Sequence, residues 1–299
     1  MQLAIINYPH ALQSAVHGLY ELFEMANELC GPVTPFSCTM LTLDQLNNTH
    51  QYNVVILPPS LKDEFYLNPS DELLNWLTHQ HDHQATLCSA CSGAFILAKA
   101  GLLEGHITTT HWALADEFQK RFAHIQLDTQ QILINQGSVI TAGGVMSWLD
   151  LGLELVAQHA GIGVMNQLGK NLVVDTGHRS QKYYQQFIPR RNHGDQAILP
   201  AQLFLDAHYP HKIIMSKLAS LCHMSERSFL RRFVQATGFK PSEYIQRLRI
   251  QKACDQLEQT QKSFETISHE VGYEDSSACR KIFRSYFSAY PKTVSPALC

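Results

Sequence analysis

The sequence predicts an α/β domain built on a parallel sheet, followed by an all-α domain with two helix-turn-helix units. Three observations carry this. Short apolar runs alternate with segments of helical spacing up to about residue 160. Beyond about residue 195 only a helical period survives. Charge divides at the same place, with a net −7 over residues 1–194 and a net +4 over residues 195–299. The boundaries that follow are 1–185 for the α/β domain, 186–195 for a linker and 196–299 for the helical domain.

Taken in order, Leu3–Ile6, Val54–Leu57, Ala85–Cys88 and Val139–Thr141 are apolar runs bounded by Pro, Gly or polar turns, the pattern of strands buried on both faces. Helical spacing fills the intervals at Leu19–Leu29, Leu73–His81, Phe95–Leu103 and Leu149–Ala160. His79, His81 and His83 alternate between a helix and a strand, and a solvated loop is expected there. The connector around 176–195 is polar and rich in turn formers. Helices follow at Gln196–His208, Ile213–Leu221, Glu226–Thr237, Pro241–Glu258, Phe264–Val271 and Ser276–Tyr286.

Composition excludes several classes. The chain has 299 residues, 45% hydrophobic and 16% charged, a globular balance rather than a disordered one. No apolar run approaches the roughly 20 residues that span a bilayer. The segment before the first apolar run carries no basic residue, so no signal peptide is read and a cytoplasmic protein is expected. The eight cysteines are scattered and expected to be reduced thiols. Cys88 and Cys91 have CxxC spacing, but no second pair completes a zinc site. Neither metal nor cofactor is expected. The overall charge of −3 argues against nucleic acid until it is divided.

Within the basic half two segments share one layout. Lys217–Leu221 leads through a turn at His223-Met224 to Ser225, an N-cap for Glu226–Thr237. Phe229 and Phe233 would face a core, while Arg227, Leu230 and Arg231 share another face. About 50 residues later Thr266–Val271 leads through Gly272 to a helix on which Ser277, Arg280 and Lys281 share a face. Cys279, Ile282 and Phe283 would pack inward, and Tyr244–Leu257 would join the units as a rod. The motifs Met224-Ser-x-Arg-x-Phe-x-Arg-x-Phe233, Gly238-x-x-Pro241-x-x-Tyr244, Arg249-x-x-x-Ala253 and Gly272-Tyr-x-Asp-x-Ser277 resemble the AraC/XylS-type DNA-binding domain. Cys279 departs from the large apolar residue usual there, and Ser288 from the Gly before Pro291. The resemblance implies promoter DNA as partner, read by Arg227, Leu230, Arg231, Ser277, Arg280 and Lys281.

In the acidic half an apolar strand ends near Cys88 and a helix starts near Ser92, which puts Cys91 at a strand-to-helix elbow. A helix N-terminus there would lower its pKa and favour the thiolate. A small buried residue at a tight turn reads equally well from the local sequence. The segments Gly18–Asn27, Cys91–Phe95, Ala98–Gly105, Thr109-Thr-His111-Trp112, Thr141–Gly144 and Asp150–Glu154, with Arg179, resemble the PfpI-like, class I glutamine-amidotransferase-like domain. The whole chain is similar to GlxA-type regulators, which fuse that flavodoxin-like domain to an AraC-type one. The resemblance implies a homodimer, contact with RNA polymerase, and a small effector such as an amino acid, betaine or related quaternary amine. Cys91, Glu21, His111 and Trp112 would line its pocket, Trp112 by cation–π contact or as ordinary core. In catalytic relatives the positions of Cys91, Glu21 and His111 do nucleophilic chemistry. Here Pro58-Pro59 follows the strand where relatives carry a Gly-Gly turn, removing two oxyanion donors, so a non-catalytic sensor is expected. A cysteine-dependent hydrolase or hydratase with an appended DNA-binding module, and a thiol redox sensor, are the alternatives.

Overall fold

The computed structural model describes residues 1–177, 180–181, 184 and 186–287. Arg179, Ser288 and Pro291 lie outside the described residues. The chain separates into two compact units, residues 1–182 and 183–299.

The first unit runs β1 (Gln2–Ile6), α1 (Gln13–Leu29), β2 (Ser37–Leu41), β3 (Val54–Leu57), α2 (Asp63–Leu67) and α3 (Asp71–Asp82). It continues with β4 (Thr86–Ala90), α4 (Gly93–Lys99), β5 (Ile107–Thr108), α5 (Ala115–Arg121) and β6 (Gln126–Leu127). It ends with β7 (Leu133–Asn135), β8 (Val139–Ala142), α6 (Trp148–Ala160) and α7 (Ile162–Leu172). Six strands form one sheet in the order β2-β1-β3-β4-β8-β7, parallel throughout except for β7, which runs antiparallel at the edge. Every residue of β3 and β8 is buried, as are four of five in β1 and in β4. Strands covered on both faces by helices must be apolar at every position, which is why the sequence shows runs instead of alternation. β2, Ser-Cys-Thr-Met-Leu, is an edge strand with mixed burial, and that composition hid it from the apolar-run signal. β5 and β6 pair only with each other.

One expectation fails here. His79 and His81 belong to the last turn of α3, and His83 is its C-cap, so the three are not a loop. The helix extends through them because its register continues: Leu73, Trp76, Leu77 and Gln80 form its buried stripe. His83 folds back over His79, ring centroids 4.2 Å apart, with Nδ1 against the His79 carbonyl at 2.8 Å.

The second unit is helical: α8 (Leu199–His208), α9 (Met215–Leu221), α10 (Glu226–Thr237), α11 (Pro241–Gln259), α12 (Phe264–Glu270) and α13 (Ser276–Phe287). It has two small cores. Ile198, Leu205, Leu218, Phe229 and Phe233 meet the first half of α11 at Tyr244 and Leu248. Phe264, Ile267, Cys279 and Phe283 meet its second half at Ile250, Ala253 and Leu257. α11 is therefore the shared wall of both cores, as a joining rod requires. Cys279 is fully buried and fills its place as a small apolar side chain.

Candidate functional site

The carboxyl ends of β1, β3, β4 and β8 bring together Tyr8, Pro58–Ser60, Cys91-Ser92 and Thr141–Gly143, the crevice where open α/β sheets bind ligands. Cys91 occupies the step between β4 and α4 in the left-handed region, φ 55°. Hydrogen bonds fix that strained backbone: its N–H donates to the Ala142 carbonyl at 2.7 Å, and its carbonyl accepts from Thr110 Oγ1 at 2.6 Å.

The elbow is tight and buried. Cys91 is 3% exposed, and burial pushes its thiol up to about 12, outweighing the lowering by the Ser92 backbone N–H. This corrects the expected thiolate. One N–H at the head of a seven-residue helix does not offset the desolvation of a buried sulfur anion. The oxyanion side is closed as well. Pro58 and Pro59 have no N–H, and the next donor, Ser60 N–H, is spent on Ser92 Oγ at 2.8 Å. The Tyr8 hydroxyl donates to the Pro58 carbonyl.

His111 and Trp112 reach the elbow through Thr110, whose hydroxyl holds the Cys91 carbonyl. Thr109 is tied to β8 by its N–H to Thr141 Oγ1 at 2.9 Å. His111 is half-buried and its pKa is lowered by burial, which keeps the ring neutral. Its Nδ1 accepts from the Ala113 N–H at 3.0 Å, capping the short turn Trp112–Leu114, and its ring lies 5.3 Å from Trp112. Glu21 does not join this group. α1 buries Ala15, Leu19, Leu22, Phe23 and Ala26, and Glu21 falls on the opposite, exposed face.

Gln181 was missed by sequence reasoning. It is buried, with Nε2 within 3.1 Å of Thr109 Oγ1, the Thr110 carbonyl and the Gln131 carbonyl, and Oε1 accepting from the Trp112 N–H at 3.3 Å. It thus braces the segment that carries His111 and Trp112. A Cβ at Gly143 would stand 1.9 Å from Gln181 Nε2, so the Thr141–Gly144 motif leaves room for that amide in the folded chain.

In the second unit Ser225 caps α10, its hydroxyl accepting from Ser228 N–H at 3.3 Å. Phe229 and Phe233 are fully buried, whereas Arg227, Leu230 and Arg231 are exposed together. At the head of α13 the Asp275 carboxylate accepts from Ser277 and Ala278 N–H at 2.8 and 3.3 Å. Ser277, Arg280 and Lys281 share a shallow surface pocket of about 560 Å³ with Arg284 and Ser285. Arg280 is engaged from below: it pairs with Glu265 at 3.0 Å and lies 5.3 Å from the Phe264 ring centre. Behind α10, Arg232 grips Asp195 with two bonds of 2.9 and 2.6 Å, a contact within the unit. Among the described residues no group of three or more His, Cys, Asp or Glu gathers to hold a metal ion. No helix among them is long and apolar enough to cross a membrane.

Comparisons agree with both halves. Residues 33–158 match the DJ-1/PfpI family and residues 218–295 match a helix-turn-helix domain. The HTH-type transcriptional regulator CdhR of Pseudomonas aeruginosa is 28% identical over 220 residues, covering 73% of this chain and 65% of CdhR. The HTH-type transcriptional regulator ArgR of the same organism is 27% identical over 211 residues, covering 70% of this chain and 63% of ArgR. The match spans under two thirds of the length of these relatives. The crystal structure of an AraC family transcriptional regulator from Pseudomonas putida has a TM-score of 0.50 at 17% identity, covering 57% of this chain and 98% of that one, and it shows the fold alone. The first unit thus contains a segment similar to the DJ-1/PfpI family, and the second a segment similar to a helix-turn-helix domain.

Proposed function

We propose that this chain is a sequence-specific transcriptional regulator in the cytoplasm, its second unit binding promoter DNA and its first sensing a small metabolite. The carrying observation is the pair of helices α10 and α13. Each buries two residues in its own core against α11 and exposes a row at the same spacing on its other face. Arginine and lysine in those rows suit guanine edges and phosphate. Arg227, Leu230, Arg231, Ser277 and Lys281 are the proposed base-facing residues, with Arg280 braced by Glu265 as the sixth.

The proposed effector site comprises Cys91, His111 and Trp112. A neutral imidazole beside an indole suits a nitrogen-containing metabolite, the indole meeting a cation. Binding acts on DNA only through different affinities for two arrangements of the chain. The proposal includes a homodimer that works with RNA polymerase, both carried over from the family resemblance. It also holds the first unit to be non-catalytic, which rests on a protonated Cys91, two prolines and a spent Ser60 N–H.

Gel retardation on the DNA upstream of its own gene tests the core of this. Arg231→Ala with Lys281→Ala should abolish the retarded complex while far-ultraviolet circular dichroism stays unchanged. An undiminished complex rejects the reading. Full regulation of a promoter fusion by Cys91→Ser would retire the enzyme and redox readings, whereas loss of regulation together with loss of amide or nitrile turnover would favour the enzyme.

A further inference from the structure

The two DNA-facing helices repeat one geometry with opposite chemistry. Positions 227, 230, 231 and 234 of α10 correspond, fifty residues on, to 277, 280, 281 and 284 of α13. Each set follows i, i+3, i+4, i+7 and forms one stripe. On α13 the stripe is wholly polar: Ser277, Arg280, Lys281 and Arg284. On α10 the second and fourth places are Leu230 and Val234, 39% and 40% exposed, alternating with exposed Arg227 and Arg231 at the first and third. Neither belongs to the core cluster that α10 builds with Phe229 and Phe233. Two partly exposed apolar side chains therefore alternate with two cations along a stripe outside the core cluster that α10 builds.

We propose that Leu230 and Val234 read thymine methyl groups in the major groove. One half of the DNA site would then demand thymine, and the half under α13 would not. This rests on the DNA-binding reading above. A base pair offers the major groove one apolar feature, the C5-methyl of thymine, while its other edges are donors and acceptors that suit Arg. The flanking guanidinium groups favour a polyanion over another protein surface as the occupant of the stripe. α13 has charge where α10 has methyl groups, so the two half-sites cannot be equivalent.

The full-length chain can enrich its site from a random duplex DNA library. Each thymine of that site is then replaced in turn by deoxyuridine, which removes only the methyl group. Wild type should lose about fourfold in affinity at one or two thymines confined to one half of the site, the worth of one methyl-sized group buried. The double variant Leu230→Ala, Val234→Ala should bind thymine and uracil forms equally there. Equal binding of wild type to every uracil form overturns the methyl reading and leaves DNA binding standing, as does a double variant that keeps the wild-type thymine preference. Failure to enrich any sequence overturns both. A change in oligomeric state of the variant with unchanged base preference assigns the stripe to a protein contact and overturns the proposal.

Discussion

Single residues at the elbow carry opposite lessons. Cys91 and its turn were legible because a strand, a small-residue step and a helix follow each other in sequence. Its protonation state was not, since desolvation is a property of everything packed around it, including Tyr8 and Tyr66. Glu21 was misplaced because a motif match took precedence over helix phase, although the apolar positions of α1 already turn it outward. Gln181 left no local trace, for its four contacts come from segments 50 to 72 residues away. His111 yields a pH prediction. Burial lowers its pKa, so the unfolded chain binds this proton more readily than the folded one. Its share of stability is complete above the unfolded value of about 6.5 and is lost as pH falls through that value towards the folded pKa. Protonation would also remove the Nδ1 acceptor that caps Trp112–Leu114. The Tm of His111→Gln should therefore fall less than that of wild type between about pH 7.5 and 5.5. Equal falls would show that the ring is not held neutral.

Among the elements, the two helix-turn-helix turns solve one backbone problem differently. Both need a residue with positive φ after the first helix, at His223 with φ 53° and at Gly272 with φ 97°. A left-handed conformation costs a residue with a Cβ about 1–2 kcal/mol, so His223→Gly should raise stability by about 1 kcal/mol. Gly272 has no such freedom. A Cβ there would stand 2.3 Å from the Pro210 carbonyl oxygen, so Gly272→Ala combines backbone strain with a clash against backbone. It should cost about 2 kcal/mol or more in denaturant unfolding. Equal responses at the two turns would contradict the packing of Pro210 against α12 and its turn. The glycine at the second turn was legible from sequence, whereas the histidine doing the same work at the first was read as an ordinary turn residue. The same limit applies to strands. Four central strands were read from their apolar runs, but β2 and β7 lie at the edges, where pairing with one neighbour is decided by the sheet rather than by their own residues.

For the whole molecule, the charge division and the division of cores coincide. The buried cluster of the first unit extends from Leu3 to Leu168 and holds none of the residues that form the cores around α11. A net charge of −3 is thus an average over an acidic α/β unit and a basic helical one, each with its own hydrophobic interior. Chains built from separate cores depart from a single two-state transition. Calorimetry on the full chain should resolve two unfolding events, and core truncations should address them singly. Leu19→Ala empties a fully buried site in the α/β core, and Leu205→Ala does the same in the helical unit. Each should cost about 2–5 kcal/mol in its own unit. The shift per kcal/mol should be larger in the helical unit, because a smaller unit has a smaller unfolding entropy. If each variant moved both transitions together, the two units would share folding energy. The +4 of the helical unit could not then be treated apart from the −7 of the α/β unit when its proposed attraction to DNA is considered.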